Sequence, residues 1–155
     1  MKADKVTQER IAKLHPSVRV EVSEIIDQCN KALTGRAQVR IAQGFRTNAE
    51  QEALFNQRPK VTNAKGGQSI HNYGFAVDIV FIIDGKTASW DTNKDWDDDK
   101  QADWMEVVAI FKSKGWNWGG DWTSFKDMPH FEKRGFGDWK KLSLMKKDAN
   151  GYVIL

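Results

Sequence analysis

The sequence predicts an α+β fold, a small and mainly antiparallel sheet with helices packed against it. Three observations carry that expectation. Apolar residues recur at helical spacing from Val18 to Leu33. The stretch GFAVDIVFIID, residues 74–84, reads as a strand buried on both faces. Short strand candidates at Val39–Ile41 and at His130–Glu132 lie between helical segments.

The elements come in this order along the chain. Pro16 suits the first position of a helix. Val18, Val22, Ile25, Ile26, Cys29 and Leu33 then form its buried stripe, and Gly35 ends it. AQVRIAQGF alternates through Val39 and Ile41 as a strand. Thr47 and Glu50 make a capping box for a helix running to about Asn56. RPKVTNAKGGQ is a loop, freed by Gly66 and Gly67. In the central strand Phe75, Val77, Ile79, Phe81 and Ile83 share one side, and Ala76, Asp78, Val80 and Ile82 the other. Asp84-Gly85 is a turn. A third helix is expected to begin in the acidic run Asp97–Asp99 and to end before Gly115, burying Trp104, Val108 and Phe111. DTNKDWDDDKQA, from Asp91, opens like a calcium loop. Trp96 replaces its glycine and Ala102 its terminal glutamate, so it reads as an acidic loop favouring the N-terminus of the next helix.

The 155 residues suit one domain, 1–155, with no separate second domain. No apolar run approaches the roughly 18 residues of a membrane span, and MKADKVTQERIAK has no signal-peptide character. The single cysteine, Cys29, excludes an internal disulfide and falls on a core stripe. A net charge of +3 without a dense basic cluster argues against nucleic acid. The seven tryptophans all fall between Trp90 and Trp139, suiting a core or the wall of a groove.

Asp78 is the informative residue. A carboxylate in a doubly apolar strand is costly unless it is paired or binds a metal. It could bond a backbone turn or pair with Arg46. The chain has three histidines, and two of them offer another answer. Gly74 lets the chain bend, so that His71 can turn back toward Asp78. His130 lies in another strand candidate, with Glu132 on its face. Two imidazoles and one carboxylate form a three-ligand zinc set with a fourth position open. His15, beside Pro16 at a helix start, reads as a structural histidine. A zinc hydrolase also needs a general base, and Asp127 in DMPHFE is the best placed, aimed by a Met-Pro turn.

Ser69-x-His71-x-x-Gly74-x-Ala76-x-Asp78, joined to Asp127-x-Pro129-His130, resembles the zinc peptidases of the D-alanyl-D-alanine carboxypeptidase superfamily. GFRTNAEQEALF and GWNWGGDW are most similar to its L-alanyl-D-glutamate endopeptidase branch, which includes phage endolysins. The resemblance spans about residues 15–135, leaving 136–155 as an extension. It implies the hedgehog/D-Ala-D-Ala-peptidase-like fold and one Zn2+ ion held by His71, Asp78 and His130. Asp127 would be the base, where the wider superfamily often has glutamate. Arg46 would stand beside the scissile carbonyl, against the alternative of a salt bridge to Glu50 or Asp78. Ser69 and Gln51 would lie near the substrate. Trp116, Trp118 and Trp122 would shape the groove, and Asp121 would bond a backbone group or help hold His130.

The implied reaction is cleavage of the L-Ala–D-Glu bond in the peptidoglycan stem peptide, in a monomer with no membrane insertion. The implied setting is phage lysis, with the enzyme kept in the host cytoplasm until a separate holin-type protein releases it. A D,D-carboxypeptidase and a non-catalytic zinc-bearing binding domain are the rival readings.

Overall fold

The sheet is built around β2 (Ala76–Ile83), whose residues are all buried except Asp78, which is partly exposed. The computed structural model describes residues 3–155. Strand β1 (Ala37–Gln43) runs antiparallel to β2, from Ala37 opposite Ile83 to Ile41 opposite Ile79. The register then slips, so that Gln43 faces Asp78. Such a bulge bends a strand and re-aims the residues beyond it.

Two helices on the N-terminal side anchor β1. Helix α1 (Lys5–Ile11), which the sequence pattern does not announce, is capped by Asp4 and hydrogen-bonds β1 through Thr7 Oγ1 and the Ile41 N–H, 3.1 Å. It is too short for its periodicity to register. Pro16–Val18 forms a 3-10 turn leading into α2 (Arg19–Ala32), which buries Val22, Ile25, Ile26 and Cys29 as expected. Burial pushes the Cys29 thiol up to about 12, so it behaves as a small core residue.

Helix α3 (Asn48–Phe55) begins with the expected Thr47–Glu50 capping box. After β2, Asp84 and Gly85 turn the chain at φ of 55° and 72° into a short strand β3 (Thr87–Ser89). Helix α4 (Asp103–Ser113) buries Trp104, Val108 and Phe111, but begins later than the acidic run. Asp98 and Lys100 have positive φ, and Asp95 accepts the N–H groups of Asp99 and Lys100, so the run folds on itself. Nor do its carboxylates cap the helix: Ala102 is the N-cap, with no side-chain bond.

Strands β4 (Asn117–Trp118) and β5 (His130–Glu132) complete the order β1-β2-β5-β4, with β3 also on β2, every pairing antiparallel. The three-residue β5 is held mainly by Phe131, which is fully buried and stacks on Phe111 at 4.1 Å. Burying such a ring contributes roughly 1.5–3 kcal/mol. That exceeds the ~1 kcal/mol net of any one ladder hydrogen bond. Helix α5 (Trp139–Ser143) comes next, and the tail returns to the N-terminal half through buried Val153. The fold is α+β, a small antiparallel sheet with helices against it.

Candidate metal centre

His71 sits in a 3-10 turn, Ile70–Tyr73, opened by Ser69 and closed by Gly74. Ser69 Oγ accepts the His71 N–H at 3.2 Å. Gly74 adopts a φ of 79°, and a side chain there would run into the His15 backbone. That left-handed residue turns the chain into β2 and lets the His71 ring face back toward Asp78.

His130 reaches Asp78 by register instead. The two residues are direct partners across the β2–β5 ladder, so their side chains lie on one face. Oδ1 of Asp78 is 3.2 Å from Nε2 of His71 and 2.9 Å from Nδ1 of His130. Each imidazole is held from behind. His71 Nδ1 donates to the Gly44 carbonyl at 2.7 Å, just past the β1 bulge. His130 Nε2 donates to Glu132 Oε1 at 2.7 Å.

The Gly44 carbonyl can only accept, which fixes the His71 tautomer. His130 has a carboxylate at each nitrogen and gives up the Nδ1 proton only when another cation takes its place. The nitrogens left for the interior, Nε2 of His71 and Nδ1 of His130, are lone-pair donors aimed at a carboxylate. Two lone pairs and an anion at one point require a cation among them, a proton or a metal. Both imidazoles are nearly fully buried, while Asp78 keeps a side-chain exposure of 24% at the groove floor. Burial alone would raise the Asp78 pKa; the two imidazoles reverse this and hold it well below the usual carboxylate range. Burial likewise opposes charging His130, yet the bonds to Asp78 and Glu132 push it up to about 9. This nitrogen-and-carboxylate set fits zinc.

Asp127 and Arg46 face the same groove, a cavity of about 580 Å³ also lined by Ser69, Trp122, Glu132, Arg134 and Trp139. Asp127 and His130 are the ends of one turn, closed by the His130 N–H donating to the Asp127 carbonyl at 3.2 Å. Gly119 permits that turn to approach, since a Cβ there would strike the Asp127 carbonyl. Burial, then the Asp78 charge, raise the Asp127 pKa against the pull of His130, His71 and Arg46. Arg46 makes no salt bridge within 4.0 Å to Glu50 or Asp78 among the described residues. Its Nη1 donates to Gln51 Oε1 at 2.8 Å, and its buried Nε has no partner.

The remaining expected residues divide. Ser69 lines the groove but its hydroxyl serves the His71 turn. Gln51 is fully buried, bonding Arg46 and the Ala64 carbonyl, so it lies behind Arg46 rather than in the groove. Trp118 is buried too, its indole donating to the Met128 carbonyl at 2.7 Å beneath the Asp127–His130 turn. Trp116 is buried against Glu21, while Trp122 stands 5.3 Å from the His130 ring. Asp121 pairs with Lys112 at 2.7 Å and touches neither His130 nor the groove. His15 is structural, its ring between Ser17 and the Val153 carbonyl.

Two residues at the site have roles that the sequence alone does not assign. Glu132, already placed on the His130 face by strand alternation, holds the ring through Nε2, a role that the shared face alone does not assign. Asn72 accepts the N–H groups of Gly67 and Ser69 and donates to the Arg46 carbonyl, tying the His71 turn to the β1–α3 connection. Nothing in the sequence distinguishes that asparagine from any loop residue.

Comparison with known proteins bears on this arrangement. The family model for D-alanyl-D-alanine carboxypeptidase matches residues 62–133, which include His71, Asp78, Asp127 and His130. The peptidoglycan L-alanyl-D-glutamate endopeptidase CwlK of Bacillus subtilis (strain 168) is 41% identical over 125 residues, 77% of this chain and 72% of that protein. The chain belongs to this endopeptidase family. A second member of the family, the L-alanyl-D-glutamate peptidase of Listeria phage A118, is 36% identical over 102 residues; the match takes in 64% of this chain and 32% of the phage protein. The crystal structure of the Serratia marcescens L-Ala D-Glu endopeptidase ChiX shares the fold, with a TM-score of 0.60 over 86% of this chain and 90% of that one, at 19% identity.

Proposed function

We propose that this peptidase hydrolyses the L-Ala–D-Glu bond of the peptidoglycan stem peptide, with one zinc ion held by His71, Asp78 and His130. The observation that carries the reading is the convergence of Nε2 of His71 and Nδ1 of His130 on one Asp78 oxygen, in a groove that also holds Asp127 and Arg46. A zinc ion there would supply Lewis acidity toward the peptide carbonyl and make water more acidic.

The chain's own residues supply the rest. Asp127 takes the proton of the attacking water, and its raised pKa suits it to return that proton to the departing amine. Arg46, steered by Gln51, offers a guanidinium to the developing oxyanion, an interaction that strengthens as charge accumulates in the transition state. Arg134, anchored by Glu132 Oε2 at 3.0 Å, adds positive charge suited to stem-peptide carboxylates. Ser69 acts through His71. No covalent intermediate is required.

Similarity to the Listeria phage A118 peptidase supports a role in host lysis, where a holin-type protein would release the enzyme to the wall. No helix among the described residues is long and apolar enough to cross a membrane.

The test is digestion of purified peptidoglycan, with and without a chelator, read by mass spectrometry. A chelator-sensitive fragment with a new D-Glu amine supports the proposal. Released D-alanine would replace it with a D,D-carboxypeptidase, the activity for which the matching family model is named. A zinc-loaded, folded protein that yields no fragment would leave a binding domain.

A further inference from the structure

The loop between β3 and α4 gathers carboxylates for which the peptidase centre has no use. Asp95, Asp97, Asp99 and Asp103 each present an oxygen, and these oxygens all lie within 4.8 Å of one another. Among the described residues, none of the four pairs with a lysine or arginine within 4.0 Å. Two cations beside the Trp96 ring are engaged otherwise: Arg36 holds Asp84 at 2.6 Å, and Lys94 lies over the ring itself. Such a concentration of like charge repels itself and loosens the loop unless a counter-charge enters.

Asp103 points to what that counter-charge is. Its side chain is fully buried at 0% exposure. Oδ1 accepts the Trp96 N–H at 3.2 Å, but Oδ2 has no partner. A buried carboxylate oxygen is normally satisfied, because its desolvation is otherwise uncompensated. Here the carboxylate joins three others, and the buried Oδ1 of Asp97 is equally without a partner.

We propose that Asp95, Asp97, Asp99 and Asp103 form a second cation site, selective for a hard divalent ion and best suited to calcium. The donors are all oxygens, unlike the imidazole-rich centre in the groove. Calcium accepts many carboxylates in irregular geometry, whereas magnesium demands a near-octahedral shell and zinc prefers nitrogen or sulfur. The site is not an EF-hand, since Trp96 and Ala102 stand where that loop needs glycine and glutamate.

A calcium ion there would tie three parts of the fold together. Asp97 already accepts from the N–H and hydroxyl of Thr34, just after α2. Asp103 opens α4. One residue further, the Trp104 indole donates to the Met128 carbonyl at 3.1 Å, within the turn that carries Asp127 and His130. The loop is thereby linked to the groove.

Protein preloaded with zinc, and washed free of other ions, would be titrated with terbium under tryptophan excitation, then with calcium or magnesium. Thermal unfolding would be followed in parallel with about 1 mM calcium, a concentration suited to weak extracellular-type sites. The expected result is saturable terbium emission displaced by calcium but not by equal magnesium, with Tm raised by several degrees. The Asp97→Asn/Asp99→Asn double variant should lose both effects and, with less self-repulsion, melt higher than the parent in the absence of calcium. Absence of emission and of any calcium-dependent Tm shift in the parent protein would overturn the site. Retention of both effects in the double variant would overturn its location.

Discussion

Asp78 and His130 are register partners across the β2–β5 ladder, and that pairing alone brings the carboxylate within 2.9 Å of the imidazole Nδ1. Because β2 is central and β5 is locked by Phe131, the distance between these two donors is a property of the core. His71 completes the set from a turn rather than from the sheet, so its placement depends on Ser69, Asn72 and Gly74.

The Glu132 contact to His130 gives the first prediction. Glu132 holds Nε2 and so keeps Nδ1 free for a metal. Glu132→Gln retains the shape but removes the charge. Zinc affinity should fall by about 10- to 100-fold, the usual effect of weakening an outer-shell partner. Chelator-competition titration measures this, with circular dichroism to confirm the fold. Unchanged affinity would show that Glu132 serves only Arg134.

Asp127 is separable from metal binding because its structural bonds are made by its backbone. Its N–H donates to the Gly119 carbonyl and its carbonyl accepts from His130. Asp127→Ala therefore leaves the turn intact. It should keep zinc content and Tm while lowering kcat by roughly 10²- to 10⁴-fold, the range for a lost general base. Parental turnover in this variant would remove Asp127 from the mechanism.

Much of this architecture is legible in the sequence, for physical reasons that differ by element. The capping box at Thr47 and the doubly buried β2 are local patterns, and both appear as expected. Asp78 stands out because a carboxylate in an apolar strand needs an explanation, and His71 because Gly74 supplies the bend. The illegible part is non-local. Gln51 and Trp118 look like groove residues in the sequence, but each is buried in the layer behind the groove, supporting Arg46 and the Met128 carbonyl respectively. Asp121 is drawn to Lys112 at the end of α4, 2.7 Å away. The late start of α4 depends on Asp98 and Lys100 entering the left-handed region, which composition does not announce.

Glu21 predicts an acid-sensitive joint between α2 and the edge of the sheet. It accepts from the Trp116 indole at 2.6 Å and from Lys133 Nζ at 2.7 Å. Burial raises its pKa, but the bonds from Lys133 and Trp116 outweigh burial and leave it below the ordinary 4.5. A carboxylate with a depressed folded pKa contributes its full stability above the unfolded value and loses it as pH falls through the folded one. Its side chain is 35% exposed, so solvent screening holds the contribution to about 1 kcal/mol or less. Urea unfolding of the parent and of Glu21→Gln at about pH 7 and about pH 3 should show the gap between them closing in acid. A gap independent of pH would mean that the carboxylate charge contributes nothing.

The tail supports the His71 turn from behind. His15 donates through Nε2 to the Val153 carbonyl at 2.8 Å, while its backbone N–H donates to the Gly74 carbonyl at 3.1 Å. Its ring also stacks on Phe75 at 4.5 Å. Gly74 and Phe75 are the residues that turn His71 into β2, so His15 bridges the tail and the hinge of the candidate metal site. Val153 is buried at 2% exposure, and Tyr152 reaches the Lys13 carbonyl at 2.8 Å. Truncation after Met145 removes these contacts and leaves Nε2 to water in place of its acceptor. The lost hydrogen bond costs about 1 kcal/mol, to which the lost Val153 burial adds roughly 1.5 kcal/mol. Calorimetry should therefore show a markedly lower Tm, and zinc affinity should weaken because Gly74 is less firmly held. Val153→Ala isolates the two effects, since it keeps the carbonyl and removes only apolar contact. If it lowers Tm yet leaves zinc affinity at the parental value while truncation reduces both, the His15 bridge is what couples the tail to the site. A truncated protein with parental Tm and zinc affinity would show that the tail is only a covering.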